Sequence, residues 1–202
     1  MLSLNAISIN TNKKSLIKDI SISFLPSSIV YLKGENGSGK TSLLRIIAGI
    51  QKASSGQITA GKNNTPIEEF SKPYCAYVGH KTGIKPELTV FENIYFWAKI
   101  ADSAEATHAA IFYFRLEELA GAKCYELSAG QKQKVALARL MACSSSRIWL
   151  LDEVENNLDT ENKQLLNNLI ISKADSGGII IASSHNEPSI KSALIIDLKD
   201  YQ

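Results

Sequence analysis

Cysteine is scarce in this sequence: Cys75, Cys124 and Cys143 stand scattered among 202 residues, with no C-x-x-C and no C-x-x-C-H. That excludes a disulfide framework of the kind that staples small secreted domains, and the usual covalent attachment of haem. Reduced, mostly buried thiols are expected instead. Histidine is equally sparse. His80, His108 and His185 form no i, i+4 pair, so a helical metal pair is excluded. Long apolar runs are missing too: none approaches the roughly 18 residues of a membrane span. The opening MLSLNAISIN lacks the charged and apolar blocks of a secretory signal. The chain is therefore expected in the cytoplasm, with any work at a membrane depending on a partner. Neither sign of charge dominates. Lys and Arg number 22 against 20 Asp and Glu, and a net charge of +2 is too mild to indicate nucleic acid binding.

What is present fits one domain, or a domain with a subdomain. Hydrophobic residues make up 45% and charged residues 21%, an ordinary balance for a chain that buries a core. The N-terminal third reads as short strands. Leu2–Ile9 and Ile20–Phe24 alternate apolar and polar residues, with a turn at NTNKK between them. Ile29–Lys33 is a compact β-branched and aromatic run, the mark of a buried strand. Ser42–Ala48 reads as a helix with Gly49 as its C-cap, and Gln57–Ala60 and Cys75–Val78 as further strands. The middle changes character. Val90–Ile100 and Ala104–Leu119 carry Ala, Phe, Tyr and Leu at helical spacing, which predicts a helical insertion whose aromatic stripe is core or a partner groove. A helix follows LSAG, then a strand at Ile148–Leu151, a helix at Asp159–Ser172, and strands at Ile179–Ser183 and Leu194–Leu198. Strand–helix alternation of this kind predicts an α/β domain with a mainly parallel sheet, an N-terminal antiparallel part and a helical subdomain. The expected division is 1–82 and 145–202 for the β core, and 83–144 for the helical subdomain.

The chemistry begins where the strand Ile29–Lys33 runs into Gly34-Glu35-Asn36-Gly37-Ser38-Gly39-Lys40-Thr41, followed by Ser42. This fits G-x-x-x-x-G-K-[ST], the phosphate-binding P-loop. Glycines let the backbone turn tightly and bring N–H groups onto phosphate oxygens. The helix N-terminus adds favourable partial charge for an anion. Lys40 is expected at the β- and γ-phosphates, with the Thr41 hydroxyl on Mg²⁺. A P-loop needs a second acidic element, and Arg147-Ile-Trp-Leu-Leu-Asp152-Glu153 supplies one. An apolar strand ending in Asp puts a carboxylate at the sheet edge where such sheets bind ligands. Asp152 is expected to hold Mg²⁺, and Glu153 to polarise the attacking water as general base.

Leu127-Ser128-Ala129-Gly130-Gln131 resembles the LSGGQ signature of ABC-transporter ATPases, and the P-loop, signature and Asp152 strand occur in that family's order. The resemblance runs from Leu2 to Leu198. It implies two such chains paired head to tail with ATP between them, Ser128, Gly130 and Gln131 of one facing the P-loop of the other. It also places Asn157-Leu158-Asp159 as the D-loop that links the two sites, and His185 as the switch histidine at the γ-phosphate. Besides Ala129 in place of the first signature glycine, the chain departs from the family pattern in three places. Thr11, Asn12 and Lys13 stand where an aromatic often stacks on adenine, and Val154 stands where proline often follows the catalytic glutamate. His80 holds the place of the Q-loop glutamine, which meets Mg²⁺ or the attacking water.

That last departure narrows the resemblance. Gly79–Thr89 (GHKTGIKPELT) and Leu127–Leu140 are similar to the haem-exporter ATP-binding subunits of bacterial cytochrome c maturation. The resemblance implies a pair of ATPase subunits on polytopic membrane subunits, at the cytoplasmic face of the bacterial inner membrane. ATP and Mg²⁺ are the implied ligands. Haem would bind the membrane partners and not this chain.

Overall fold

The apolar runs Ile29–Lys33 (β3), Ile148–Asp152 (β7) and Ile179–Ser183 (β8) lie side by side and parallel in the computed structural model. The structure describes residues 1–11, 14–61, 63–67, 74–79, 81–156, 158–184 and 188–202. Cys75–Val78 (β6) and Leu194–Asp197 (β9) complete the sheet, in the order β6-β7-β8-β3-β9. Its central strands are buried on both faces, which explains their unbroken hydrophobicity. Alternate residues serve two cores. Ile148, Leu150, Ile179 and Ile181 face one, and Trp149, Leu151, Ile180 and Ala182 the other.

The first core is roofed by an antiparallel sheet and a helix. Leu2–Asn10 (β1) pairs with Ser15–Phe24 (β2) on one side and Ser55–Ala60 (β4) on the other, and Thr65–Pro66 (β5) adds a short edge. Helix α1, Lys40–Ile47, packs beneath with Leu43, Leu44, Ile46 and Ile47 buried. Strand β2 begins earlier than its alternation suggests. Its buried residues step by three from Ile17 to Ile20, and those of β1 step by three from Leu4 to Ile7. Strict period two would expose the second half of each strand. The register shifts here, with Ala6 and Asp19 at φ 50° and 48°. A bulge absorbs the extra residue and returns the apolar side chains inward. In the turn, Thr11 N–H donates to the Lys14 carbonyl at 2.9 Å, while Asn12 and Lys13 lie outside the described residues.

The second core is covered by helices. Val90–Ile100 (α2) starts in a capping box: the Thr89 hydroxyl accepts from Glu92 N–H, and the Glu92 carboxylate accepts from Thr89 N–H. The helix expected to reach Leu119 stops early. Helix α3 covers Ala106–Tyr113, Arg115 turns left-handed at φ 52°, and a short 3-10 turn follows at Glu117–Leu119. The break lets Phe114 and Leu116, both fully buried, enter the core together. Ala129–Ala142 forms α4 and Thr160–Asp175 forms α5, the latter N-capped by Asp159. Helix α1 likewise ends one residue early, at Ile47, with Ala48 capping and Gly49 following at φ 71°. Among the described residues, no helix is long and apolar enough to cross a membrane.

Candidate nucleotide site

Parallel strands β3, β7 and β8 all end at the same edge of the sheet, and the P-loop, Asp152 and Glu153 gather there. Strand β3 delivers the loop Gly34–Gly39, which turns into α1. Gly39 caps that helix at φ 105°, a left-handed conformation, and a Cβ on it would lie 3.1 Å from Ile17 Cδ1. Glycine alone satisfies both demands. The Lys40 side chain is buried, and its ammonium donates to the carbonyls of Gly34 at 2.7 Å and Glu35 at 3.0 Å. Ser38 is 3% exposed, and its hydroxyl has no hydrogen-bond partner among the described residues. A buried ammonium and an orphaned buried hydroxyl in one loop suit an anion that supplies acceptors. The loop borders a cavity of about 130 Å³ lined by Leu16, Asn36, Gly37, Gly39, Lys40, Thr41, Ser42 and Glu153. Leu16, at the start of β2, is the one apolar side chain of that lining among the described residues. No pattern marks it, because it lies between the NTNKK turn and the alternating run Ile20–Phe24.

The carboxylate at the end of β7 is the most heavily bonded group here. Asp152 is 2% exposed. Its Oδ1 accepts from Thr41 at 3.0 Å and from Ser183 at 2.8 Å, and its Oδ2 accepts from Tyr77 at 3.0 Å. Strand β8 separates β7 from β3, and Asp152 sits directly opposite Ser183 in the register. The serine thus fills the gap between the acidic strand and the P-loop strand. Burial is the main cause that pushes the Tyr77 phenol above its ordinary range, with Asp152 adding to it and Arg45 opposing. Thr41 and Asp152 present hard oxygen atoms within hydrogen-bonding distance of each other, a donor set that fits Mg²⁺. Neither Ser183 nor Tyr77 was expected from sequence. Ser183 ends β8 and Tyr77 is the next-to-last residue of β6, and those positions near the ligand edge were the available signal.

Glu153 follows in the left-handed region at φ 56°. Its N–H donates to Ser183 at both the carbonyl and Oγ, each at 3.2 Å, and its Oε2 accepts from Asn156 at 3.2 Å. A glutamate held in this conformation costs about 1–2 kcal/mol relative to right-handed backbone, a strain that local bonds must hold in place. Val154, the residue in place of proline, is 4% exposed, and its carbonyl accepts from Gln133 of α4 at 3.0 Å.

The signature residues are placed elsewhere. Ser128 caps α4 in a second capping box: its hydroxyl accepts from Gln131 N–H at 3.2 Å, and Gln131 Oε1 accepts from Ser128 N–H at 2.8 Å. Ser128 is exposed and Gly130 half-buried. None of Ser128, Gly130 and Gln131 lines the P-loop cavity. In the expected D-loop, Asp159 accepts from Asn162 N–H at 2.8 Å, a bond that holds its carboxyl below the usual range. His80, His185 and Asn157 lie outside the described residues.

Comparison with known proteins agrees with this geometry. A family model described as ABC transporter matches residues 17–156. The cytochrome c biogenesis ATP-binding export protein CcmA of Rickettsia typhi is 57% identical over 199 residues, covering 98% of this chain and 99% of its own. Among solved structures, a putative ABC transporter ATP-binding protein from Pyrococcus furiosus superimposes with a TM-score of 0.84 at 24% identity, over 99% of this chain and 98% of that one. An ATP-binding cassette solved as a dimer in a post-hydrolysis state, bound to ADP and Pi, gives 0.77 at 22% identity, over 92% and 88% of the two chains. The structural likenesses show a common fold. With that fold, the family match over most of its length and relatives spanning nearly all of it, the chain belongs to the ABC transporter ATPases, in the cytochrome c biogenesis export group.

Proposed function

We propose that this chain binds MgATP at the P-loop edge, hydrolyses it as one of a head-to-tail pair, and drives haem delivery for c-type cytochrome assembly through membrane subunits. The observation that carries the reading is the 57% identity to a cytochrome c biogenesis ATP-binding export protein along nearly the whole chain.

The geometry supports the catalytic part. Backbone N–H groups of Gly34–Ser42 and the Lys40 ammonium take the phosphates, and Lys40 exchanges its carbonyl partners for γ-phosphate oxygens. Thr41 and Asp152 hold Mg²⁺, with His80 as the third residue at the metal. When bound, Mg²⁺ neutralises charge on the phosphate oxygens. Glu153 takes the proton from the attacking water, and His185 stands at the γ-phosphate. The chain's own signature residues do not line its P-loop cavity, which favours completion of each site by Ser128, Gly130 and Gln131 of a second copy. There the N-terminus of α4 offers N–H groups to the γ-phosphate. The D-loop Asn157–Asp159 connects the two sites.

The partner side rests on α2 and its surroundings. Tyr95, Phe96 and Ile100 of α2 are exposed, with Tyr125 close by in sequence to the signature. Trp97 and Ile100 also line a second, mostly apolar cavity with Arg139, Cys75 and Cys143. An apolar helix face beside a cavity suits docking to a polytopic membrane subunit. We assign 83–144 as the helical subdomain that makes this contact, 1–82 with 145–202 as the catalytic core, and the cytoplasmic face of the inner membrane as the place of work. Haem is carried by the membrane partners.

The test is an ATPase assay with and without co-expressed cytochrome c maturation membrane subunits, coupled to co-purification. Turnover stimulated by those subunits, and abolished by Lys40→Ala, is expected. Co-purification with a different permease instead would reassign the substrate, and normal turnover in Lys40→Ala would remove the P-loop from the mechanism.

A further inference from the structure

We propose that Tyr77 is a positioning residue for Asp152, and that position 79 is glycine to leave room for the Tyr77 ring. The proposal rests on the MgATP reading of the site given above.

The two oxygens of Asp152 are held unequally. Thr41 and Ser183 both donate to Oδ1. Two donors on one oxygen leave the carboxylate free to swing about its Cβ–Cγ bond, a torsion with a broad, two-fold preference. Tyr77 supplies the second point of attachment, at Oδ2, 3.0 Å away. The Arg45 guanidinium of α1 is near enough to oppose the rise in the phenol's pKa, so the phenol stands between the acidic strand and the helix that begins at the P-loop. When Thr41 turns its hydroxyl to the metal, Ser183 and Tyr77 remain as the donors that fix the plane of the carboxylate.

Gly79 completes the case. It is absent from the positive-φ glycines, so its backbone is open to other residues. Space is the constraint. A Cβ there would stand 2.8 Å from Tyr77 Cζ and 3.0 Å from Cε1, and closer still to the hydroxyl. Contacts that short displace the ring, and with it the hydroxyl from Asp152.

The test measures binding of a non-hydrolysable ATP analogue by calorimetry, without and with Mg²⁺, in the full chain. In the wild type Mg²⁺ tightens binding. In Tyr77→Phe that Mg²⁺-dependent gain is expected to shrink by about tenfold, the effect of one lost hydrogen bond to a charged group, while Mg²⁺-free affinity stays as in the wild type. Gly79→Ala is expected to shrink the gain in the same direction with every hydroxyl still present, and it decides the matter if Tyr77→Phe does not fold. A wild-type gain in the folded variants overturns the proposal, as does an equal loss of affinity with and without Mg²⁺, which marks a merely structural tyrosine. Asp152→Asn separates the two readings. If it abolishes the gain while the Tyr77 and Gly79 variants keep it, the tyrosine proposal falls and the site stands. If Asp152→Asn itself keeps the gain, the metal assignment falls and takes the proposal with it.

Discussion

Ser183 and Asp152 face each other across β7 and β8, and the serine hydroxyl donates to Asp152 Oδ1 at 2.8 Å while accepting from Glu153 N–H at 3.2 Å. One small side chain therefore serves both acidic residues. Ser183→Ala removes a buried donor to a charged group and is expected to destabilise the fold by about 1–3 kcal/mol, and to lower turnover. Urea unfolding reads the first effect and steady-state ATPase the second. A wild-type unfolding midpoint would mean that Asp152 recruits another donor at no cost.

Glu153 separates stability from chemistry. An amide is a poor base, so Glu153→Gln is expected to retain ATP and lose turnover by about 10²–10⁴-fold, the range for a lost general base. Glu153→Gly should lose turnover as well, yet melt no lower than the wild type, because glycine relieves the strain at φ 56°. Calorimetric melting beside single-turnover hydrolysis checks both. Wild-type hydrolysis in Glu153→Gln would place the base elsewhere.

The thiols set an alkaline limit. Burial pushes Cys75 up to about 12 and Cys143 up to about 11, from an ordinary value near 9.0. The folded chain thus keeps protons that the unfolded chain releases. Stability is whole below pH 9 and falls as pH rises towards those folded values, by up to about 1.4 kcal/mol per pH unit for each thiol. Arg139, pushed down to about 10 by burial, acts with the opposite sign above pH 10. Urea unfolding between about pH 8 and pH 10 should show the decline, and Cys75→Ala with Cys143→Ala should flatten it. A flat wild-type profile would contradict the burial of these thiols.

The sheet, the P-loop and the acidic strand were legible because each is carried by local pattern. Ile29–Lys33, Cys75–Val78, Val90–Ile100 and Ile179–Ser183 have the bounds their composition suggests. Bulges were not legible: the steps from Leu4 to Ile7 and Ile17 to Ile20 look like loss of strand until the two strands are paired. The break at Arg115 was hidden for a similar reason, since burial of Phe114 and Leu116 overrides helical spacing. In the site, residues within motifs could be read directly. Ser183, Tyr77 and Gln133 could not, because they act through neighbours that only strand order and helix packing bring near.

The hydrogen bond from Gln133 to the Val154 carbonyl has a mechanical consequence. Helix α4 presents Ser128 outward at its first turn, and one turn later grips the bend that carries Glu153. The proposed boundary near residue 144 follows chain topology, but packing continues across it. The apolar cluster runs unbroken from α2 and α4 to Trp149 and Leu151 of β7. On the docking face and general base proposed above, a displacement of α2 carries through the packed α4 to the bend at Glu153.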